Sequence, residues 1–143
     1  MLRGPGRGSV FTVLADRCTL SGFVIEHSGS DLATEDSGIL LKSSDNLVSD
    51  NELRDVLYGI YLYQAKGNTL RGNLIQGRRE LETGERGAGL HLWNSPENLI
   101  EGNTIEYARD GLYIQSSPRN TIRRNRVSHL RYGLHFMSSD DNH

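Results

Sequence analysis

The chain has 143 residues, 36% hydrophobic and 24% charged, with 16 Gly against 3 Pro; this describes one domain of ordinary size with many tight turns and excludes collagen-like, linker-like and disordered chains. Its formal charge of -2 offers nothing to nucleic acid or an anionic membrane, and no segment approaches the roughly 20 apolar residues of a membrane span, so neither nucleic-acid binding nor direct membrane insertion is expected. Cys18 is the only cysteine, which excludes an internal disulfide and any CxxC site, and its expected role is a small buried apolar residue.

The opening run, MLRGPGRGSVFTVLADRC, lacks the apolar stretch of a secretory signal, so the chain as written is not expected to export itself. CTLSGFVI follows, with an apolar pattern that returns later, but with Cys18 and Phe23 at two places that later hold asparagine. It reads as a degenerate first turn. A short insertion, HSGSDLATED from His27 to Asp36, precedes the first complete unit.

Five units then open on Gly38, Gly59, Gly89, Gly111 and Gly133, at spacings of 21, 30, 22 and 22. Self-similarity at such a period marks a solenoid, whose units bury their apolar faces only against neighbours. After each glycine the first and third residues are Ile39 and Leu41, Ile60 and Leu62, Leu90 and Leu92, Leu112 and Ile114, Leu134 and Phe136. All are apolar, and the alternation is that of a strand with one side turned inward.

Each unit continues as N-x-apolar-x-x-N-x-apolar, as in Asn98, Ile100, Asn103 and Ile105. This predicts two further short strands joined by bends. Asparagine suits such bends because it tolerates left-handed backbone and its amide can bond the equivalent amide one coil away. The nine asparagines at these paired positions, Asn46, Asn51, Asn68, Asn73, Asn98, Asn103, Asn120, Asn125 and Asn142, are therefore expected to be structural. Three strands per turn in parallel register predict an all-β chain, a right-handed parallel β-helix forming a single domain over residues 1–143. The long spacing comes from about eight extra residues in GRRELETGERG, Gly77 to Gly87, a loop expected beside the strand of His91 and Trp93.

Residues two and four after each glycine are then expected to point outward. The second positions are Leu40, Tyr61, His91, Tyr113 and His135; the fourth are Lys42, Tyr63, Trp93, Gln115 and Met137. An outer face of Tyr, Trp, His and Met, where solvent favours Lys and Glu, reads as a contact surface. Tyr61, Tyr63, Trp93 and Tyr113 are its candidate partner-binding residues. In the arginine-rich fourth unit, Arg119 and Arg123 align with Glu97 and Glu101 one coil away, which accounts for them by charge pairing.

Three stretches, GERGAGLHLWNSP, RDGLYIQSSPRNTIRRNRV and LRYGLHFMSSDDN, resemble the NosD proteins, periplasmic β-helix factors for maturation of nitrous oxide reductase. The similarity runs from about Gly59 onward. It implies a periplasmic, non-enzymatic partner of an ABC ATPase and its permease that helps to deliver copper to the reductase, with a copper chaperone or the reductase itself as further partners. Members of that family are much longer, and this chain stops one residue past Asn142, so it is expected to be a piece of a longer β-helix.

Copper(I) favours imidazole and thioether ligands. His135 and Met137, two residues apart on one strand face, together with His91, are the candidate metal residues; His91 and His135 are two coils apart, roughly 10 Å, too far to share an ion unaided. His129 and His143 lie nearer turns. The alternative class is a carbohydrate-binding or polysaccharide-modifying β-helix. Tyrosines and Trp93 suit sugar rings, but the ten outward positions hold no Asp or Glu for catalysis, so no catalytic residue is expected. Asp110 and Glu106 are expected at bends or opposite arginines, in solvent.

Overall fold

The computed structural model describes residues 1–143, which wind into a stack of short coils. The first coils comprise β1 (Leu2–Arg3), β2 (Phe11–Val13), β3 (Thr19–Ser21), β4 (Val24–Glu26), β5 (Ser37–Leu41), β6 (Leu47–Ser49) and β7 (Glu52–Val56). The middle of the stack contains β8 (Tyr58–Tyr63), β9 (Thr69–Arg71), β10 (Leu74–Gly77), β11 (Leu90–Trp93), β12 (Leu99–Glu101) and β13 (Thr104–Glu106). The last coils are β14 (Asp110–Gln115), β15 (Thr121–Arg123), β16 (Arg126–Ser128) and β17 (Tyr132–Met137). A single 3-10 turn, Thr83–Glu85, lies in the long insertion.

Every third strand pairs, always in parallel. The three sheets run β1-β4-β7-β10-β13-β16, β2-β5-β8-β11-β14-β17 and β3-β6-β9-β12-β15. The expected β-helix is therefore the fold. Its register is the one the glycines predict: Ile60 pairs with Leu90, Leu90 with Leu112, and Leu112 with Leu134. The chain also forms a strand pair absent from the sequence reading, Phe11 to Val13 beside Ile39 to Leu41.

The core is the bore of the helix. Ile39, Leu41, Ile60, Leu62, Leu90, Leu92 and Ile114 are fully buried in it, with Ile100 and Ile105 from the other two sheets. Each such side chain contributes about 1.5–3 kcal/mol on leaving water. Leu134 and Phe136 hold equivalent places in the last coil but are 46% and 43% exposed, because no coil covers them. Close coil packing also explains the glycines: a Cβ at Gly59 would collide with the Gly89 carbonyl and the Ile75 side chain.

Asparagine ladders hold the corners. Asn103 Oδ1 accepts from the Asn73 backbone N–H at 3.0 Å, and its own Nδ2 donates to the Leu70 carbonyl at 2.9 Å and Asn125 Oδ1 at 3.0 Å. Asn98 does the same between Asn68 and Asn120. At the first coil, Cys18 and Phe23 join the ladder through their backbone N–H alone, donating to Asn46 Oδ1 at 2.8 Å and Asn51 Oδ1 at 3.0 Å, which fits their reading as degenerate ladder positions. Cys18 is half-buried where burial was expected, since it lies in the first coil and is covered on one side only.

Charges stack across coils as the sequence predicts. Arg119 lies 3.1 Å from Glu97, and Arg123 lies 2.8 Å from Glu101.

Candidate functional site

The outer face of the second sheet carries two aromatic columns. Parallel pairing brings Tyr61, His91, Tyr113 and His135 together on successive coils, with Tyr63, Trp93, Gln115 and Met137 beside them. Tyr61 and His91 stack nearly parallel, centroids 4.7 Å apart at 9°; His91 meets Tyr113 edge-on at 4.8 Å, and Tyr113 meets His135 at 4.6 Å. In the second column Tyr63 and Trp93 stack at 4.8 Å, and the Lys42 ammonium sits 5.2 Å from the Tyr63 ring. Tyr61, Tyr63, Trp93 and Tyr113 are all half-buried.

His91 is different, and its reading as an open outward residue is corrected. It is 6% exposed. Tyr61 and Tyr113 cover its ring, Tyr58 lies at 6.2 Å, and Glu35 from the first insertion reaches over the strand to place Oε1 3.0 Å from Nδ1. That approach is out of line for a hydrogen bond, while the other ring nitrogen lies 3.3 Å from Gln115 Oε1. Burial first, then the neighbouring Glu35 carboxylate, push the Tyr61 hydroxyl far above the ordinary tyrosine range; burial and Glu35 raise Tyr58 in the same sense.

The expectation that Asp110 is solvated is likewise corrected. It is fully buried, at the start of β14, with Arg131 Nε and Nη2 and His135 Nδ1 each at 3.3 Å and Arg109 Nε at 3.7 Å. A buried carboxylate is tolerable only when paired in this way. Glu106 is half-buried and accepts a bond from Gln76 at 3.1 Å. The carboxylate-free outer positions thus have carboxylates beside them, supplied by an insertion and by the residue before a unit glycine. Asp110 shares its place with Tyr58, Ala88 and Tyr132, a column the sequence displays once the glycines are aligned. Glu35 occupies no periodic place, and nothing in its local sequence points to His91.

His135 and Met137 lie on one face of β17, as expected from their spacing, and both are engaged by the preceding coil. His135 Nδ1 faces Asp110, and Met137 Sδ receives the Tyr113 hydroxyl at 3.3 Å with Gln115 Nε2 at 3.9 Å. The Tyr113 ring lies between His91 and His135, which keeps those imidazoles apart. No three His, Cys, Asp or Glu side chains converge in the geometry of a metal centre. The Tyr113 ring thus separates His91 from His135, while Met137 shares the face of His135.

The family described as right handed beta helix region matches residues 8–143. A protein of Pseudomonas aeruginosa named probable ABC transporter binding protein NosD is 33% identical over 112 residues, covering 77% of this chain and 26% of that protein. A protein of the same name from Stutzerimonas stutzeri is 28% identical over 113 residues, covering 78% and 26%. The chain thus spans about a quarter of the length of the curated relatives it matches. No solved structure matches it.

Proposed function

As the chain belongs to the right-handed β-helix family and is NosD-like, we propose that it is part of a non-catalytic, periplasmic docking protein that works with an ABC transporter in delivering copper to nitrous oxide reductase. The observation that carries this reading is the ladder of Tyr61, Tyr63, Trp93 and Tyr113 on one flat sheet face, in a chain similar to proteins named for transporter binding. Half-buried aromatic rings held rigid by their neighbours lose little side-chain freedom on binding, which makes them effective interface anchors.

Within this proposal the face seats the permease, or the reductase or a copper chaperone, and the copper(I) passes the His135 and Met137 edge. Docking and metal contact separate experimentally. In the full-length protein, Trp93→Ala should weaken binding to the transporter and lower copper loading of the reductase, while His135→Ala with Met137→Ala should reduce copper(I) affinity and leave transporter binding intact. Unchanged transporter binding in Trp93→Ala would remove the docking role; unchanged copper(I) affinity in the double variant would remove the metal role.

The stacked Tyr63 and Trp93 rings, inclined by 30°, also form an aromatic surface of the kind that packs on sugar rings, which favours carbohydrate binding as the second reading. Saturable binding of alginate or pectin fragments that disappears in Trp93→Ala, with transporter binding unaffected, would select it.

A further inference from the structure

Both departures from the 22-residue period leave the helix at the same corner, between the first and second sheets. The insertion of His27 to Asp36 joins β4 to β5, and that of Gly77 to Gly87 joins β10 to β11. Between them lies a coil with a tight corner, where β7 passes to β8 through Leu57 alone. Two raised loops on either side of one low corner leave a groove of about 560 Å³ with Asp55 and Leu57 at its base.

Arg78 fixes the walls. It is 8% exposed and reaches from the second loop across the low coil: Nε donates to Asp55 Oδ1 at 3.1 Å, Nη2 to the Ser28 carbonyl at 2.6 Å, and Nη1 to Ser30 Oγ. Arg86 pins the second loop to itself, donating to the Arg78 carbonyl at 2.9 Å and the Arg79 carbonyl at 3.1 Å. The groove is therefore built before any ligand arrives, and its occupant need not order it.

The lining decides what fits. Leu32, 40% exposed, and the half-buried Leu81 are apolar surfaces on opposite loops, with Leu57 beneath. The one guanidinium, Arg78, is consumed by Asp55, which also holds His27 Nδ1 at 2.8 Å. Glu80 and Glu85 remain, and neither pairs with any cation of the chain; Glu85 only accepts from the Glu82 backbone N–H. An anion is thus repelled. A long aliphatic stem ending in a cation matches leucine walls below a carboxylate rim.

We infer that this groove is a second recognition site, distinct from the aromatic face, which takes a polypeptide segment of a partner presenting a lysine or arginine between apolar side chains. The inference does not rest on the transporter reading. Its test uses the whole chain and two pentapeptides with capped ends, one with a central lysine and one with a central glutamate, each flanked by leucines, followed by calorimetry at low salt. The lysine peptide should bind and the glutamate peptide should not. Glu80→Gln with Glu85→Gln should weaken the lysine peptide about tenfold or more, since glutamine at 85 still serves the loop's backbone cap. Trp93→Ala should leave this binding unchanged, which separates the groove from the aromatic face. Equal binding of the two peptides, no binding of either at millimolar concentration, or glutamine variants that bind like the parent would overturn the inference.

Discussion

His91 lies flat on Tyr61, ring centroids 4.7 Å apart and 9° from parallel, with the Glu35 carboxylate 3.0 Å from its Nδ1. One residue of an insertion thereby closes over a strand position that periodicity assigns to solvent. The hydroxyl of Tyr61 neighbours that carboxylate, so its titration reports on the contact.

Tyr61 should remain protonated well above the ordinary value of 10.0, and Tyr58 should shift in the same direction. An absorbance titration of the folded chain should show these two ionising later than the other tyrosines, and Glu35→Gln should move Tyr61 back toward the ordinary range. The linked stability follows in sign. Above pH 10 the unfolded chain loses the proton that the folded chain keeps, so the tyrosine contribution to stability is constant below that pH and falls as pH rises beyond it. Tyr61→Phe should make the fall shallower.

Burial in the bore sets the cost of core substitutions. Ile114 is fully buried and pairs in register with Leu92 on one side and Phe136 on the other. Ile114→Ala should cost about 2–5 kcal/mol in urea unfolding, and Ile114→Asp more, because it buries an unpaired charge. Phe136→Ala, at the equivalent place of the uncovered coil, should cost far less. Similar losses at the two sites would contradict this placement of the core.

Asn103→Ala removes an acceptor from the Asn73 N–H and a donor from the Leu70 carbonyl, both within the buried ladder. Each unmet buried group costs about 1–3 kcal/mol. The urea midpoint should drop with its slope unchanged. Asn142→Ala, exposed on one side at the last coil, should have a smaller effect.

The Arg123 hydrogen bond holds the Glu101 carboxyl below its ordinary value, and Arg71 adds its charge from the other side. Carboxyl NMR should find Glu101 titrating lower than in Arg123→Ala. The contribution is present above the ordinary glutamate value of 4.5 and fades as pH falls through the lowered one. Added salt should shrink it, since the pair is at the surface.

The period alone carried the fold. A glycine, two alternating apolar residues and two asparagines returning every 22 residues admit one arrangement in which the apolar positions meet and the amides find partners, and Leu92 beside Ile114 and Asn103 beside Asn125 are that arrangement. The aromatic columns followed from the same register, because in a parallel stack sequence position and spatial neighbour are the same information. What the sequence did not contain was the placement of residues outside the period. Glu35 over His91 and Arg78 between the two loops depend on where the insertions fold back and on which charges the resulting burial forces together. Those contacts join residues tens of positions apart with no repeated spacing between them. Only the tertiary structure could decide them, since the cost of burying an unpaired charge is felt only after the coils have packed.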